Sequence, residues 1–246
     1  MDTRFVSSGV PLTDISTCTT KNELISVLRN FDITVPLRTE GRMTHHAERW
    51  TICRLLSTLA ENECLSYPVS LTHRDRPDFL LQYHGMKVGI EATEAISEQY
   101  ACYQALAERE FPDSFLEPGH FRWGSPKRTT EEMRKLLRQE QLSSPPWAGD
   151  HAEREWALYF QSVIEAKLLK LAKPGFEKFH ENWLAIYDNL EPPQIHLERA
   201  IGFLLPELER MWTSIPSFHA IYIEHKPVVV KITPNETTYL VLCDLW

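Results

Sequence analysis

The chain lacks the cysteine pattern of a disulfide-stabilised or zinc-binding protein. Its cysteines are five in number, scattered along 246 residues, and never spaced as CxxC. A disulfide framework needs paired cysteines, and a zinc knuckle needs closely spaced ones. We therefore interpret all of them as structural thiols (Cys18, Cys53, Cys64, Cys102 and Cys243).

The chain also lacks a long hydrophobic run and a secretory signal. No apolar stretch approaches the roughly 18 residues that a transmembrane helix needs. The opening residues, MDTRFVSSGV, show no charged segment followed by an apolar segment and a small-residue cleavage site. These absences predict a cytoplasmic protein without a membrane span.

Several functional motifs are missing as well. No GxxxxGK[ST], GxGxxG or GxSxG sequence occurs, which argues against phosphate-binding loops, dinucleotide binding and a serine-hydrolase elbow. A zinc site at His45, His46 and Glu48 is disfavoured because adjacent helical side chains point about 100° apart. No second histidine pair completes the four ligands such a site needs.

The overall charge is negative, with a formal net charge of −8 at pH 7. This balance argues against a protein that coats nucleic acid, which needs clustered lysine and arginine. Basic residues nevertheless concentrate in residues 122–138 and 167–178. Each run is typical either of a solvated helix face or of part of a phosphate-binding surface.

The order of hydrophobic patterns predicts an α/β (α+β mixed) protein with a central mixed β-sheet flanked by helices. The chain length favours one domain, expected over residues 41–246, preceded by a loosely attached arm over residues 1–40 that holds a short helix at 22–29. Helices are predicted at residues 44–61, 97–110, 130–139, 151–172 and 197–212. Strands are predicted at residues 67–71, 76–83, 86–95, 183–187, 219–225, 228–232 and 239–245.

Two extended runs flank His84-Gly85, a dipeptide that suits a two-residue turn because glycine tolerates positive φ. Counting outward from this turn pairs Asp78 with Glu91 across the hairpin. Period-two alternation puts both acids and Thr93 on one face, and the hydrophobic residues on the other. The hairpin is therefore predicted to bring two carboxylates together.

Facing carboxylates, with Cβ atoms roughly 4.5 to 5.5 Å apart, repel each other unless a cation lies between them. A hard divalent ion such as Mg²⁺ or Mn²⁺ prefers oxygen ligands and would remove that cost. The alternative is a solvated hairpin whose outer face carries two acids, relieved by Arg76 and Lys87. The residues alone leave both interpretations open.

Pro77-Asp78, an apolar strand, a turn and then Ile90-Glu91-Ala92-Thr93 resemble the PD-(D/E)xK signature of the restriction-endonuclease-like nuclease superfamily. The resemblance implies a restriction-endonuclease-like core in which Asp78 and Glu91 bind Mg²⁺ or Mn²⁺. The helix before the hairpin often supplies a further acid in this superfamily, and Glu48 lies on the apolar stripe of that helix. The helix macrodipole explains an acid in the first turn equally well.

Thr93 occupies the position of the superfamily's lysine and carries no positive charge. Lys87 shares the polar face but lies about 13 Å along the strand from the second acid, at ~3.3 Å per residue, and is disfavoured. Lys167 lies on the apolar stripe of the helix predicted at 151–172, where it either extends to solvent or serves as a relocated catalytic lysine. In a third interpretation, the metal alone activates water and Thr93 helps to position it.

Two weaker signals remain. Gln99 and Tyr103 echo a QxxxY element of some exonuclease branches of the superfamily, although a helix-surface pair is the simpler interpretation. The aromatic segment 115–123 offers rings that stack on unpaired bases in single-strand binders. Packing inside a core or a loop is the more common use of such residues.

We therefore expect a metal-dependent nuclease that cleaves phosphodiester bonds. Its expected catalytic residues are Asp78, Glu91, Thr93 and Lys167, and its expected metal ligands are Glu48, Asp78 and Glu91. The resemblance also implies DNA as the substrate and a place in a restriction or phage-defence system, with a protein partner or a homodimer. The alternative is a catalytically inactive nuclease-fold module that binds nucleic acid or protein, which the missing lysine and the negative charge favour.

Overall fold

The computed structural model describes residues 13–139, 143–190, 194–213 and 217–246. Within these residues the chain is an α/β protein with an eight-stranded, mixed, open sheet and six α-helices. This confirms the predicted class and the central mixed sheet. None of the described helices is both long and apolar enough to cross a bilayer.

The helices are α1 (Lys21–Leu28), α2 (Thr44–Glu61), α3 (Glu98–Glu110), α4 (Thr130–Leu137), α5 (His151–Leu171) and α6 (Leu197–Trp212). The strands are β1 (Ile15–Cys18), β2 (Val69–His73), β3 (Phe79–Tyr83), β4 (Met86–Ala95), β5 (Glu181–Asp188), β6 (Ala220–His225), β7 (Val228–Ile232) and β8 (Thr237–Val241). Two short 3-10 helices span Arg38–Glu40 and Pro118–Phe121.

The strands lie across the sheet in chain order, from β1 at one edge to β8 at the other. From β1 to β4, each strand runs antiparallel to its neighbour. Strands β4, β5 and β6 are parallel, and from β6 to β8 neighbouring strands are antiparallel again. A parallel pair needs a crossover connection, usually helical, whereas an antiparallel pair needs only a turn. The crossover from β4 to β5 contains α3, α4 and α5, and the next contains α6.

Helices cover both faces of the sheet, and strand alternation divides the core into two layers. In β5, Trp183 and Ala185 pack in the layer that contains α2, whereas Leu184 and Ile186 pack in the layer that contains α5 and α6. All four side chains are buried. A central strand buried on both faces is expected to be continuously apolar, as β5 is over residues 183–187.

Residues 13–40 differ from the expected loosely attached arm. Strand β1 pairs with β2 and extends the sheet, and α1 packs against α2 with Leu24 and Leu28 fully buried. Strand β1 was missed because its four residues, ISTC, are too few to show an alternating pattern. Residues 1–12 of the expected arm lie outside the described residues.

The bounds of α2, α6, β4 and β7 agree with the prediction, and the other predicted elements begin or end within a few residues of their expected positions. The largest difference near the site is at β3, which was expected from residue 76 and begins at Phe79. Before it, the backbone N–H of Arg74 donates to the carbonyl oxygen of Asp78 at 2.7 Å, at the position next to the last β2–β3 pair, and closes the loop that joins the two strands. Asp78 therefore lies directly before the strand.

Candidate active site

The hairpin formed by β3 and β4 has the register that the turn predicted. Tyr83 pairs with Met86 and Phe79 with Ile90, so the next position outward sets Asp78 beside Glu91. His84 and Gly85 form the turn, both with positive φ. The predicted register of the hairpin is therefore confirmed, with Asp78 directly before its last pair.

Both acids are buried, with Asp78 6% exposed and Glu91 1% exposed. The backbone N–H of Ala92 donates to Oδ2 of Asp78 at 2.8 Å, so the Asp78 carboxylate is held against β4. Gly89 permits this approach, because a Cβ atom there would lie 2.8 Å from Cγ of Pro77. The interpretation of these acids as residues of a solvated outer face does not describe this end of the hairpin.

Helix α5 covers the face of the hairpin that carries Glu91, and it contributes two lysines. Lys167 donates from Nζ to Oε2 of Glu91 at 3.2 Å and to the carbonyl oxygen of Ala92 at 3.1 Å. Lys170 donates to the same Oε2 at 2.7 Å and lies 3.7 Å from Oδ1 of Asp78. Two ammonium groups thus face two carboxylates.

The electrostatics of the cluster follow from its burial. Desolvation first, and then the negative charge of Glu91, raise the pKa of Asp78 to about 6. Burial lowers the pKa of Lys170, but the hydrogen bond that Lys170 donates to Glu91 and the charges of both acids outweigh it, so the pKa is raised. Oε1 of Glu91 is buried and has no hydrogen-bond partner among the described residues. A buried carboxylate oxygen without a partner costs free energy unless something binds it.

Glu48 lies in the first turns of α2, and its Oε2 is 3.5 Å from Nε2 of His73. Its charge adds to the increase in the pKa of Asp78 and of Lys170, so it belongs to the same electrostatic cluster. Among the described residues, however, no three histidine, cysteine or acidic side chains converge closely enough to hold a metal ion. Glu48 therefore contributes charge to the cluster but does not complete a ligand set among the described residues.

Thr93 follows Glu91 on the same face of β4, pairs with Ile186 of β5 and is half-buried. The positive charges beside the two acids come from α5. Lys87, by contrast, is exposed and pairs with Gln82 close to the turn. Of the lysines weighed in the sequence, the structure brings Lys167 to the acids and leaves Lys87 away from them.

The sequence reasoning missed Lys170. A signal was available, because Lys170 follows Lys167 by three residues and residues at this spacing share a helix face. It also lies in the basic run at 167–178. The missing information was the partner, since Glu91 is separated from Lys170 by 79 positions along the chain.

The weaker candidates have structural roles. Tyr103 is buried and packs against Tyr100 and Phe121, and the side-chain oxygen of Gln99 accepts a hydrogen bond from the backbone N–H of Arg128 at 2.7 Å. His46 accepts a hydrogen bond from the backbone N–H of Met43 at 2.9 Å, at the start of α2. These contacts explain the residues without a ligand.

The fold and the site together define an α/β protein whose antiparallel hairpin carries a buried cluster of two carboxylates and two lysines. Comparisons of the chain with models of protein families, with curated proteins and with solved structures found no match. The chemistry of the cluster is therefore the basis for any functional proposal.

Proposed function

We propose that the protein is a metal-dependent nuclease with a restriction-endonuclease-like core. The observation that carries the proposal is the buried Asp78–Glu91 pair with Lys167 against the second acid. The PD-(D/E)xK resemblance implies a mixed sheet flanked by helices, an acidic residue in the helix before the hairpin, and a lysine beside the acids. The positions of Glu48 on α2 and Lys167 on α5 support that reading.

The residues fit a hard divalent cation. Carboxylate oxygens are the ligands that Mg²⁺ and Mn²⁺ prefer, and Oε1 of Glu91 has no hydrogen-bond partner in the described part of the chain. The ammonium group of Lys170 already takes the place of a cation between the acids, at 2.7 and 3.7 Å from their oxygens. A divalent ion would take the place of that ammonium group between the two acids. Asp78 and Glu91 would hold it, and Glu48 would add negative charge.

A divalent ion at this position would stabilise negative charge on a phosphate and supply a water of lowered pKa. Lys167 donates to Glu91 and to the carbonyl oxygen of Ala92, which leaves one of its three protons for a substrate. We assign to Lys167 the roles of orienting the attacking water and stabilising the charge that develops on the phosphate. Thr93 contributes at most a hydroxyl donor beside it.

The proposed substrate is DNA. The net charge of −8 is not spread evenly, because Lys173 and Lys178 follow the two site lysines on exposed positions. A local positive field beside buried acids attracts phosphate even where the total charge is negative. A role in restriction or phage defence, and a protein partner or homodimer, rest on the family resemblance alone.

The second candidate is a catalytically inactive module that keeps the nuclease core for binding. It is favoured by one observation, namely that the two lysines balance the charges of Asp78 and Glu91 without a metal. A cluster neutralised in this way can persist as a structural ion-pair network.

The two candidates are separated by calorimetric titration with Mn²⁺ and by nicking of supercoiled plasmid in Mg²⁺. Wild type is compared with Asp78→Asn and with Asp75→Asn, whose native side chain is 92% exposed. We expect Asp78→Asn to lose Mn²⁺ binding and nicking, and Asp75→Asn to keep both. Metal binding without nicking by wild type would favour the inactive module, and absence of both activities would remove the nuclease proposal.

A further inference from the structure

A groove with a cavity volume of about 510 Å³ lies beyond the carboxyl ends of the parallel strands β5 and β6. Leu190 follows β5, Lys226 follows β6, and the first residues of α6 form another wall. Ligands of open α/β sheets bind in crevices at this end of the strands, and small-molecule sites enclose roughly 300 to 1,000 Å³. The location and the volume of the groove are therefore those of a small-molecule site.

The walls of the groove are mainly apolar. The apolar residues that line it are Leu190, Ile195, Leu197, Pro227, Val228 and Tyr239. Four polar side chains complete the lining, namely Gln194, Glu198, His225 and Lys226. Tyr239 is 41% exposed, so its side chain is not consumed by packing in the core. This lining suits a small molecule with an apolar body and few polar groups.

A buried carboxylate supports one of these polar groups. Asp188 ends β5 and His225 ends β6, and Nδ1 of His225 lies 2.7 Å from Oδ2 of Asp188. Trp156 donates to the same oxygen at 2.6 Å, and the backbone N–H of Leu190 donates to Oδ1 at 3.1 Å. An ionised carboxylate only accepts hydrogen bonds, so Nδ1 of His225 carries the proton. The Asp188 side chain is 2% exposed, and its contacts hold the His225 ring in one orientation.

The other edge of the His225 ring carries Nε2. The His225 side chain is 28% exposed and lines the groove, whereas the carboxylate that contacts Nδ1 is shielded from solvent. Nε2 has no hydrogen-bond partner within the described part of the chain. An imidazole with its proton on Nδ1 has a free lone pair on Nε2. His225 therefore offers the groove a hydrogen-bond acceptor on a ring that is fixed from behind.

The charges around the groove favour an uncharged ligand. Lys226 and Glu198 line it with opposite charges, and the carboxylate of Asp188 is already compensated by its three N–H donors. A charged ligand would lose hydration against the apolar walls without a matching excess of opposite charge. A hydroxyl group is an uncharged donor that matches the free acceptor on His225.

We infer that this groove is a ligand site distinct from the Asp78–Glu91 cluster, and that it binds a small, uncharged, mostly apolar molecule through a hydroxyl group that donates to Nε2 of His225. Asp188 is a positioning residue, because it fixes the tautomer and the orientation of the ring and does not itself line the groove. Neither Asp78 nor Glu91 lines the groove either. The inference therefore does not rest on the proposed nuclease function.

The first test uses the wild-type protein labelled with ¹⁵N. Long-range ¹H–¹⁵N spectra at about pH 8, where imidazole is ordinarily neutral, show which ring nitrogen of His225 carries the proton. We expect the Nδ1–H form in the free protein. Addition of 4-chlorophenol should shift the Nε2 resonance, and 4-chloroanisole, in which a methyl ether replaces the hydroxyl, should not. A ring protonated on Nε2, or an Nε2 resonance that 4-chlorophenol leaves unchanged, would overturn the inference.

The same spectra test the positioning role of Asp188. Without the carboxylate nothing keeps the proton on Nδ1, so we expect Asp188→Ala to show a mixture of the two tautomers of His225. Asp188→Asn keeps an acceptor oxygen and should retain more of the Nδ1–H form than Asp188→Ala. A ring that stays fully protonated on Nδ1 in folded Asp188→Ala would remove the positioning role.

The second test compares affinities by calorimetric titration. Loss of one neutral hydrogen bond weakens binding roughly 2- to 13-fold, so we expect wild type to bind 4-chlorophenol about fivefold more tightly than 4-chloroanisole. His225→Phe keeps a ring without an acceptor and should bind both compounds equally. His180→Phe is the matched control and should keep the wild-type preference, because His180 is exposed and does not line the groove. Urea unfolding of each variant checks that the fold is intact.

Charged analogues define the class of ligand. At the same pH, 4-chlorobenzoate and 4-chlorobenzylamine place an anion and a cation where the hydroxyl would lie, and both should bind more weakly than 4-chlorophenol. Tighter binding of either charged compound would overturn the inference of an uncharged ligand. Equal affinity of wild type for 4-chlorophenol and 4-chloroanisole, or no binding of 4-chlorophenol, would show that His225 does not receive such a ligand. These measurements on wild type decide the inference even if His225→Phe does not fold.

Discussion

Lys170 donates a hydrogen bond of 2.7 Å to the buried carboxylate of Glu91, across the contact between α5 and β4. The same ammonium group lies 3.7 Å from Asp78. Facing acids need a cation between them, and here a side chain supplies it. A metal ion that binds these acids must therefore compete with Lys170 for the same oxygens.

This competition predicts that Lys170→Met tightens Mn²⁺ binding. Binding to the variant no longer requires displacement of the ammonium group, and we expect an affinity about tenfold higher, or ~1.4 kcal/mol, in calorimetric titration at neutral pH. Lys173→Met is the control, because Lys173 is exposed on the same lysine-rich segment. Equal or weaker binding by Lys170→Met would show that Lys170 does not occupy the position of the metal.

The same variant should be less stable without metal. Removing one partner of a buried ion pair leaves a carboxylate without compensation, which costs about 3 to 5 kcal/mol for fully buried pairs. Because Lys167 still pairs with Glu91 and the Lys170 side chain is 34% exposed, we expect a smaller loss of about 1 to 2 kcal/mol in the free energy of unfolding. Urea unfolding in EDTA measures this loss. Saturating Mn²⁺ should restore the lost stability of the variant. If Mn²⁺ does not restore the stability of the variant, Lys170 has a purely structural role.

Lys167 should be needed for cleavage and not for metal binding. We expect Lys167→Met to lower the rate of plasmid nicking by roughly 10² to 10³, the cost of losing one donor to developing charge. Its Mn²⁺ affinity should not decrease, since the lysine is not a metal ligand. Lys173→Met should nick at the wild-type rate. Full nicking by Lys167→Met would remove the relocated-lysine hypothesis and leave activation by the metal alone.

The raised pKa of Asp78 predicts a pH dependence of stability in metal-free buffer. Burial and the charge of Glu91 bring this pKa from 3.8 to about 6, so the folded state binds the proton more tightly than the unfolded state does. The resulting stability is present in full below about pH 4 and is lost as the pH rises through about 6. Relative to Asp78→Asn, wild type should lose on the order of 2 to 3 kcal/mol of unfolding free energy over that window. A constant difference between the two proteins would contradict this.

A pair of glycine substitutions tests the close approach beside Asp78. In Gly89→Ala the new Cβ would meet Phe179 and Pro77 at 2.8 Å, and we expect a loss of about 1 to 3 kcal/mol in stability. In Gly202→Ala nothing lies within 4 Å, and alanine in α6 should add about 0.5 to 1 kcal/mol. Thermal unfolding of both variants measures this. If Gly89→Ala leaves the stability unchanged, the loop before β3 shifts readily to make room for the methyl group.

The hairpin and its acids were accessible from local sequence. The His84-Gly85 turn sets the pairing of its neighbours, and counting residues outward places Asp78 beside Glu91. The periodicity of α2 and α6 was strong enough to give their bounds. These features depend on residues a few positions apart, so a single sequence contains the information.

The pairing of the lysines with the acids was not accessible in this way. Lys167 lies 76 positions after Glu91, and no local sequence pattern predicts which strand α5 packs against. The short strand β1 and its place at the sheet edge likewise depend on a partner, β2, that lies far along the chain.

Turns, strand alternation and the apolar stripes of helices are determined by residues a few positions apart in the sequence. These local features are enough to place two acids opposite each other. Whether those acids meet water, a metal or another side chain depends on what the crossover between β4 and β5 lays over them. Packing buries the carboxylates and brings Lys167 and Lys170 to them, because a desolvated negative charge must be compensated wherever the fold places it.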